Sequence, residues 1–231
     1  MESVSENWKQ LKKNFNFTWK NEELLKESLT HSSYLNEHRR EEKHHNERLE
    51  FLGDAVLELV SSIYLYKKFP EEQEGFLTNL RAALVNTDSL TLVSKKLGIN
   101  KYLRLSKGES KNITSSSSAI LADALEAVIG AIYLDQGLDM ADDFIVRNIM
   151  SRYQEVVQEH SYRDSKSLFQ EMAQERFRKT PKYKTLGSSG PDHNKVFKVG
   201  LYLGEEEISE GSGKSKQEAE ENAAKNGLAK Y

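Results

Sequence analysis

Asn46-Glu47-Arg48-Leu49-Glu50-Phe51-Leu52-Gly53-Asp54-Ala55-Val56-Leu57 opens the strongest helical pattern in the chain, and its reading decides the architecture. Apolar residues recur at Leu52, Val56, Leu59, Val60 and Ile63, the three-and-four spacing of one helix face, and the pattern predicts a helix from Glu47 to Lys68. At about 100° per residue, Glu47, Glu50, Asp54 and Glu58 fall on the opposite side, in one stripe about 80° wide. Acids opposite an apolar face are what an ordinary solvated helix shows. These four, however, are like-charged neighbours three and four residues apart, each pair unfavourable by about 0.2–0.5 kcal/mol, so the stripe needs a counter-charge from elsewhere.

A second stretch supplies the context. From Ala119 to Leu134 the only charged residues are Asp123 and Glu126, and a helix apolar on every other side is a buried one. Ala119, Ala127 and Gly130, on the side of the two acids, would let another helix approach closely. Buried carboxylates must be paired, protonated or bound to metal, and no Lys or Arg occurs between Lys111 and Arg147. If the two helices face each other, Glu50, Asp54, Asp123 and Glu126 form an all-oxygen pocket of four negative charges. Such a pocket calls for a hard divalent cation, Mg²⁺ with Mn²⁺ as a substitute, rather than zinc. Phosphodiester hydrolysis uses that arrangement most directly, because such an ion activates water and polarises a phosphoryl oxygen. Glu41-x-x-His44 and Glu42-x-x-His45 match the Glu-x-x-His unit of di-iron bundles, but they overlap in one stretch and Asp123-x-x-Glu126 carries no histidine, which argues against iron. His31, His38 and His160 lack ligand-spaced partners and read as surface or capping residues.

The rest of the chain fixes the setting. Its 231 residues, 37% hydrophobic and 30% charged with a net charge of -3, are enough for one large or two small globular domains. No apolar run approaches the ~18 residues of a membrane span. The absence of cysteine excludes disulfides, thiolate metal sites and cysteine nucleophiles. The first residues lack the basic and apolar regions of a secretory signal, so a cytoplasmic protein is expected. Further helices are predicted over Phe76–Leu97, Ala119–Gln136 and Met140–His160, with shorter ones before Leu35 and a loop over Ser106–Ser118. Beyond His160 the pattern changes, and Val196 to Leu203 alternates as a strand does. The order there reads helix (Ser167–Lys179), strands (Lys182–Leu186, Lys195–Leu203, Glu206–Glu210) and helix (Lys214–Lys230), with Phe197, Val199 and Leu201 in the core. The expected organisation is an all-α domain over 1–157, a linker over 158–164 and a small α+β domain over 165–231.

The second domain does not advertise a nucleic-acid ligand by net charge, with 13 Lys+Arg against 11 Asp+Glu from Arg163 to Tyr231. Placement says more, because Lys214 and Lys216 stand at the start of the last helix, where free N–H groups and the helix dipole favour phosphate. Gly211-Ser212-Gly213-Lys214-Ser215 fails as a nucleotide-binding loop, since Ile208 stands where the pattern requires glycine, and no nucleotide cofactor is expected.

The stretch Asn46–Leu57 resembles the signature of the ribonuclease III family, and Leu121-Ala122-Asp123-Ala124-Leu125-Glu126-Ala127 resembles its second acidic motif. His31-Ser32-Ser33-Tyr34 and Glu74-Gly75-Phe76-Leu77 extend the resemblance, which runs over almost the whole chain, and residues 165–231 are similar to the double-stranded RNA-binding domain. The resemblance implies the ribonuclease III fold, with Glu50, Asp54, Asp123 and Glu126 as metal ligands and Asp54 and Glu126 most critical for cleavage. It implies RNA or helper contacts at Glu47 and Glu74. It implies a homodimer in which Phe51 inserts into the partner, and Phe51 does fall on the acidic side of its helix, poorly placed in a monomer. In the second domain it implies that Ser167, Gln170 and Glu171 meet one minor groove, His193 the next, and Lys214, Ser215 and Lys216 the phosphates between, with Gln217 where many members carry lysine. One departure is Asn112–Ser118, which lacks the usual glycine pair and basic residues. The implied function is metal-assisted cleavage of double-stranded RNA to 5′-phosphate and 3′-hydroxyl ends, in rRNA, mRNA, tRNA and small-RNA processing. The alternative is a non-catalytic double-stranded RNA-binding processing scaffold, whose mark would be a missing acid among the four; none is missing.

Overall fold

A computed structural model of the chain describes residues 11–12, 15, 17–38, 44–112, 118–158, 162, 165–191 and 195–231. Two compact units divide it, Met1–Tyr162 and Arg163–Tyr231. Within the expected linker, residues 159–161, 163 and 164 lie outside the described residues, as do His160, Glu41, Glu42 and His193.

The first unit is helical. In chain order it contains α1 (Glu22–Ser28), α2 (Ser32–Glu37), α3 (Glu47–Lys68), α4 (Glu74–Val85), α5 (Thr87–Lys96), a 3₁₀ turn (Ile99–Lys101), α6 (Lys107–Asn112), α7 (Ser118–Gln136), α8 (Leu138–Asn148), a second 3₁₀ turn (Met150–Arg152) and α9 (Tyr153–Gln158). Helix α7 is its axis: Leu121, Ala122, Ala124, Leu125 and the run Ala127–Ile132 are all buried. The main interface joins α7 to α3. Two glycines set its spacing, since a Cβ at Gly53 would lie 1.7 Å from the Glu126 carbonyl oxygen and one at Gly130 would lie 2.2 Å from that of Leu49. The backbones touch there, and any side chain would drive the helices apart. Ala127 is also buried, but Ala119 is exposed and plays no part in this approach.

Three helical expectations need correction. Phe76–Leu97 is two helices, because Asn86 is extended and its side-chain oxygen accepts the Ser89 N–H, capping α5 inside an unbroken apolar period. Met140–His160 starts earlier, after left-handed Gly137, and breaks at Asn148. There the Asn148 amide donates to the Phe144 carbonyl and the Ser151 hydroxyl to that of Arg147, a local alternative to continuing the helix. The Ser106–Ser118 loop contains the short α6, whose first turn is capped by Ser106 Oγ accepting from Glu109 N; residues 113–117 lie outside the described residues.

In the second unit α10 (Ser165–Phe177) precedes strands β1 (Lys182–Ser189), β2 (Val196–Leu203) and β3 (Glu206–Gly213), and α11 (Lys216–Leu228) follows them. The sheet is antiparallel in the order β1-β2-β3. Phe169 and Ala173 of α10, Leu201, Leu203 and Ile208 of the sheet, and Ala223 and Ala224 of α11 form the core. Val199 and Leu201 are buried as expected, and Phe197 is half-buried. Strands β1 and β3 outrun their expected ends because Gly and Ser residues that read as turns pair across β2, Ser189 with Val196 and Gly213 with Phe197. Gly211 and Gly213 thus serve packing: a Cβ at Gly211 would lie 2.1 Å from the Ala223 nitrogen.

Candidate metal centre and RNA-binding surface

The touching glycines decide where the acids meet. Gly53 lies between Glu50 and Asp54 on α3 and abuts the Glu126 carbonyl, so the first turns of α3 face the acidic turn of α7. Glu50, Asp123 and Glu126 each offer a carboxylate oxygen within 4.8 Å of the others, and all three are half-buried. Among the described residues no Lys or Arg forms an ion pair with them.

The electrostatic cost is plain. Burial, reinforced by the charges of Asp54, Asp123 and Glu50, pushes the Glu126 carboxyl up from 4.5 to about 7. Burial also raises Glu50, with Asp123, Glu47 and Asp54 adding to it. Asp123 is raised by burial and drawn back down by His31 and a backbone hydrogen bond. A divalent cation removes this penalty, and three oxygen donors with no sulfur among them fit a hard ion.

The acidic stripe of α3 therefore splits. Glu50 joins the α7 acids, while Glu58 finds its counter-charge in Arg81 of α4, 3.2 Å away. Asp54 is exposed and outside the 4.8 Å cluster, yet its charge acts on Glu50 and Glu126. Glu47 is exposed at the rim, with His45 Nδ1 3.8 Å from its carboxylate. Glu74 is not drawn into the cluster; it opens α4 and lines a groove of about 640 Å³ with Ile63, Tyr66, Leu77 and Arg81.

Phe51 is 82% exposed, and its apolar neighbours along α3 share that exposure. Leu59 and Ile63 were expected on the core face but are 51% and 38% exposed, and Tyr66 is 74% exposed. With Ala55 these residues continue from Phe51 as an apolar stripe along α3 that is left exposed among the described residues. The periodicity identified an apolar face without revealing that α7 covers only part of it. His31 does cap α2, its Nδ1 accepting from Ser33 N, but its nearness to Asp123 had no sequence signal.

In the second unit Ser167, Gln170 and Glu171 share one exposed face of α10 and, with Gln174 and Glu175, line a shallow depression of about 510 Å³. Lys214, Ser215 and Lys216 are exposed together at the start of α11. Ser215 is the cap, its Oγ accepting from Glu218 N at 3.1 Å, and the Glu218 carboxylate accepts from Lys214 N at 2.7 Å. These bonds order the turn that carries both lysines.

Comparison with known proteins agrees with both halves. Residues 21–153 match the ribonuclease-III-like family model and residues 165–231 the double-stranded RNA binding motif. The chain is 41% identical to Ribonuclease 3 of Sulfurovum sp., over 94% of this chain and 95% of that protein. It is 43% identical to Ribonuclease 3 of Listeria monocytogenes, over 94% of each. Among solved structures it is similar to the nuclease domain of ribonuclease III from Campylobacter jejuni, a structure described for flexibility in a region involved in dimer formation, at 40% identity and a TM-score of 0.56, covering 62% of this chain and 95% of that one. With the acidic centre carried by the first match and the α-β-β-β-α unit by the second, the chain belongs to the ribonuclease III family, joining an endoribonuclease unit to a double-stranded RNA-binding unit.

Proposed function

We propose that the first unit cleaves double-stranded RNA by phosphodiester hydrolysis, leaving 5′-phosphate and 3′-hydroxyl ends, with Mg²⁺ as its natural ion and Mn²⁺ as a substitute. The observation that carries this reading is the meeting of Glu50, Asp123 and Glu126 oxygens within 4.8 Å, without a basic partner among the described residues. These three would hold the ion from the protein side, and Asp54, exposed one turn beyond Glu50, would complete the cage from the solvent side, where RNA arrives. A magnesium ion bound there supplies a polarised phosphoryl oxygen and a water of lowered pKa. Asp54 and Glu126 are the acids on which cleavage would depend most, and Glu47 and Glu74 would serve the RNA strand or its approach.

The exposed stripe from Phe51 to Tyr66 supports a homodimer, because apolar area of this extent on one helix is covered in the working state. Phe51 would insert into the partner, and two copies would give one active site for each RNA strand. Phe51→Ala is expected to shift the chain toward monomer, read by sedimentation. In the second unit Ser167, Gln170 and Glu171 would follow one minor groove, His193 the next, and Lys214, Ser215 and Lys216 the phosphates between, reading duplex shape more than sequence. A cytoplasmic role in the processing of rRNA, mRNA, tRNA and small RNAs agrees with this.

The test is incubation with labelled duplex and single-stranded RNA, with and without Mg²⁺, followed by mapping of fragment ends. Cleavage of duplex alone, dependent on Mg²⁺, with 5′-phosphates is the expected result. Binding of duplex without cleavage at any Mg²⁺ or Mn²⁺ concentration would favour the scaffold reading instead.

A further inference from the structure

Several basic residues of the second unit are held by partners on that unit. Lys166 pairs with Glu220 and Lys198 with Glu210, each at 2.6 Å, and Lys230 Nζ donates to the Ile208 carbonyl. The run from Arg176 to Lys184, where α10 gives way to β1, carries five cations and no acid. Four of the five have a place. Arg176 donates to the Tyr231 backbone oxygen at 3.3 Å. Lys179 turns toward the β2–β3 connection, its Nζ 3.8 Å from where a Cβ at Gly204 would stand. Lys182 and Lys184 alternate with Tyr183, which packs against the core, so both stand on the sheet face away from the helices, Lys184 over the Tyr202 ring at 4.6 Å.

Arg178 is the exception. It is exposed, and its side chain makes no hydrogen bond or ion pair among the described residues. Its φ of 52° is the one positive value at a non-glycine among those residues. It stands just past α10 with its N–H donating to the Gln174 carbonyl at 3.1 Å, the left-handed cap that glycine usually provides because a Cβ there crowds the following carbonyl. Helix α10 therefore ends on strain that glycine would remove, and what arginine adds in exchange is a guanidinium at this point. An outlier of this kind points to a use for the side chain.

Position indicates the use. Ser167, Gln170, Glu171 and Gln174 line the depression on α10 at three- and four-residue spacing, and Arg178 follows Gln174 by one turn, tied to it by the backbone bond. From Ser167 to Arg178 the chain advances about 16 Å, so a helix laid along that face in a wide, shallow minor groove brings its last turn to the groove's edge, where the phosphates stand. The acids of the face, Glu171 and Glu175, can accept from 2′-hydroxyls but would repel phosphate, and Arg178 lies beyond both.

We propose that Arg178 is a further RNA contact of the second unit, its guanidinium gripping a backbone phosphate at the edge of the minor groove that α10 meets. This rests on the reading of α10 as the minor-groove helix, and it adds a contact at the far end of that helix from Ser167. The planar guanidinium fork matches two phosphate oxygens at once.

Charge and strain can be separated. Arg178→Gly removes both, Arg178→Ala removes the charge and keeps the left-handed Cβ, and Arg178→Lys keeps both. The measurement is binding of labelled duplex RNA by the full-length chain without divalent metal, followed by fluorescence anisotropy across a range of salt, alongside thermal melting. The expected result is a roughly five- to tenfold weaker affinity at 0.1 M salt in both the Gly and Ala variants, with the slope of log affinity against log salt reduced by about one for each second unit on the duplex. Arg178→Lys should keep the slope. Arg178→Gly should melt higher than Arg178→Ala, so the better-folded variant binds no better. Lys182→Ala, a charge of the same run on the other sheet face, should bind as the wild type does.

An unchanged slope in Arg178→Gly would overturn the proposal, as would an equal loss in Lys182→Ala, which would make the effect one of net charge. Ser167→Ala combined with Gln170→Ala changes no charge and tests the placement of α10 separately: wild-type affinity in that variant would overturn the minor-groove reading itself.

Discussion

Helix α7 carries acids toward both ends and treats them in opposite ways. Asp135, 8% exposed, accepts the backbone N–H groups of Lys20 (3.0 Å) and Asn21 (2.7 Å) and the Gln136 amide (2.6 Å). It bolts the segment leading into α1 onto the core. Glu126, two and a half turns earlier, accepts no hydrogen bond among the described residues and faces other acids, and its carboxyl stands at about 7. An acid shielded from water is uninformative until its donors are counted: with amides it is part of the scaffold, and with other carboxylates it is reserved for an ion.

Substitutions at the two ends test this contrast. Glu126→Gln should abolish cleavage while leaving duplex binding by the second unit intact; normal cleavage in Mg²⁺ would break the contrast outright. Gly53→Ala should cost about 1–3 kcal/mol or more by forcing α3 off α7, and with it Mn²⁺ binding, because spacing and ligand geometry are one property here. Asp135→Asn should cost about 1–3 kcal/mol in denaturant melts through the weakened amide bonds, yet leave the activity of the folded fraction unchanged.

The smallest effect is the dependence on pH. The folded Glu126 carboxyl titrates at about 7 against 4.5 in the unfolded chain, so the folded state holds its proton more tightly. Its contribution to stability is fully present below 4.5 and is lost as pH rises through about 7. Metal-free protein should melt progressively lower across that window, Mg²⁺ should restore the loss, and Glu126→Gln should flatten the curve. A melting temperature that rises across the window in the wild type would reverse the assigned sign.

Much of this could be read from the chain itself. The bounds of α3 follow from an uninterrupted period, and the candidate cluster follows from a helix with two acids and no nearby Lys or Arg. What escaped was tertiary. Asn86 ends a helix by capping the next one within an apolar pattern, and propensity gives little warning of that. Leu59 and Ile63 belong to the apolar period of α3, but a period indicates direction and says nothing of how wide the covering helix is. The solvent-side position of Asp54, apart from the other three, depends on the phase of α3 against α7. His31 reads as a cap from its neighbours, whereas the reach of its charge to Asp123 arises from two segments distant in sequence.

The contact of Gly53 with Gly130 has a consequence for motion. Helices locked backbone to backbone, one of them covered along most of its length, are the last part of a domain to open, so the α3 and α7 amides around Glu50 and Glu126 should exchange with deuterium only on global unfolding. The candidate metal-binding acids would then ride on the slowest-exchanging segment of the molecule, and whatever adjustment a duplex requires would fall to the surfaces around them.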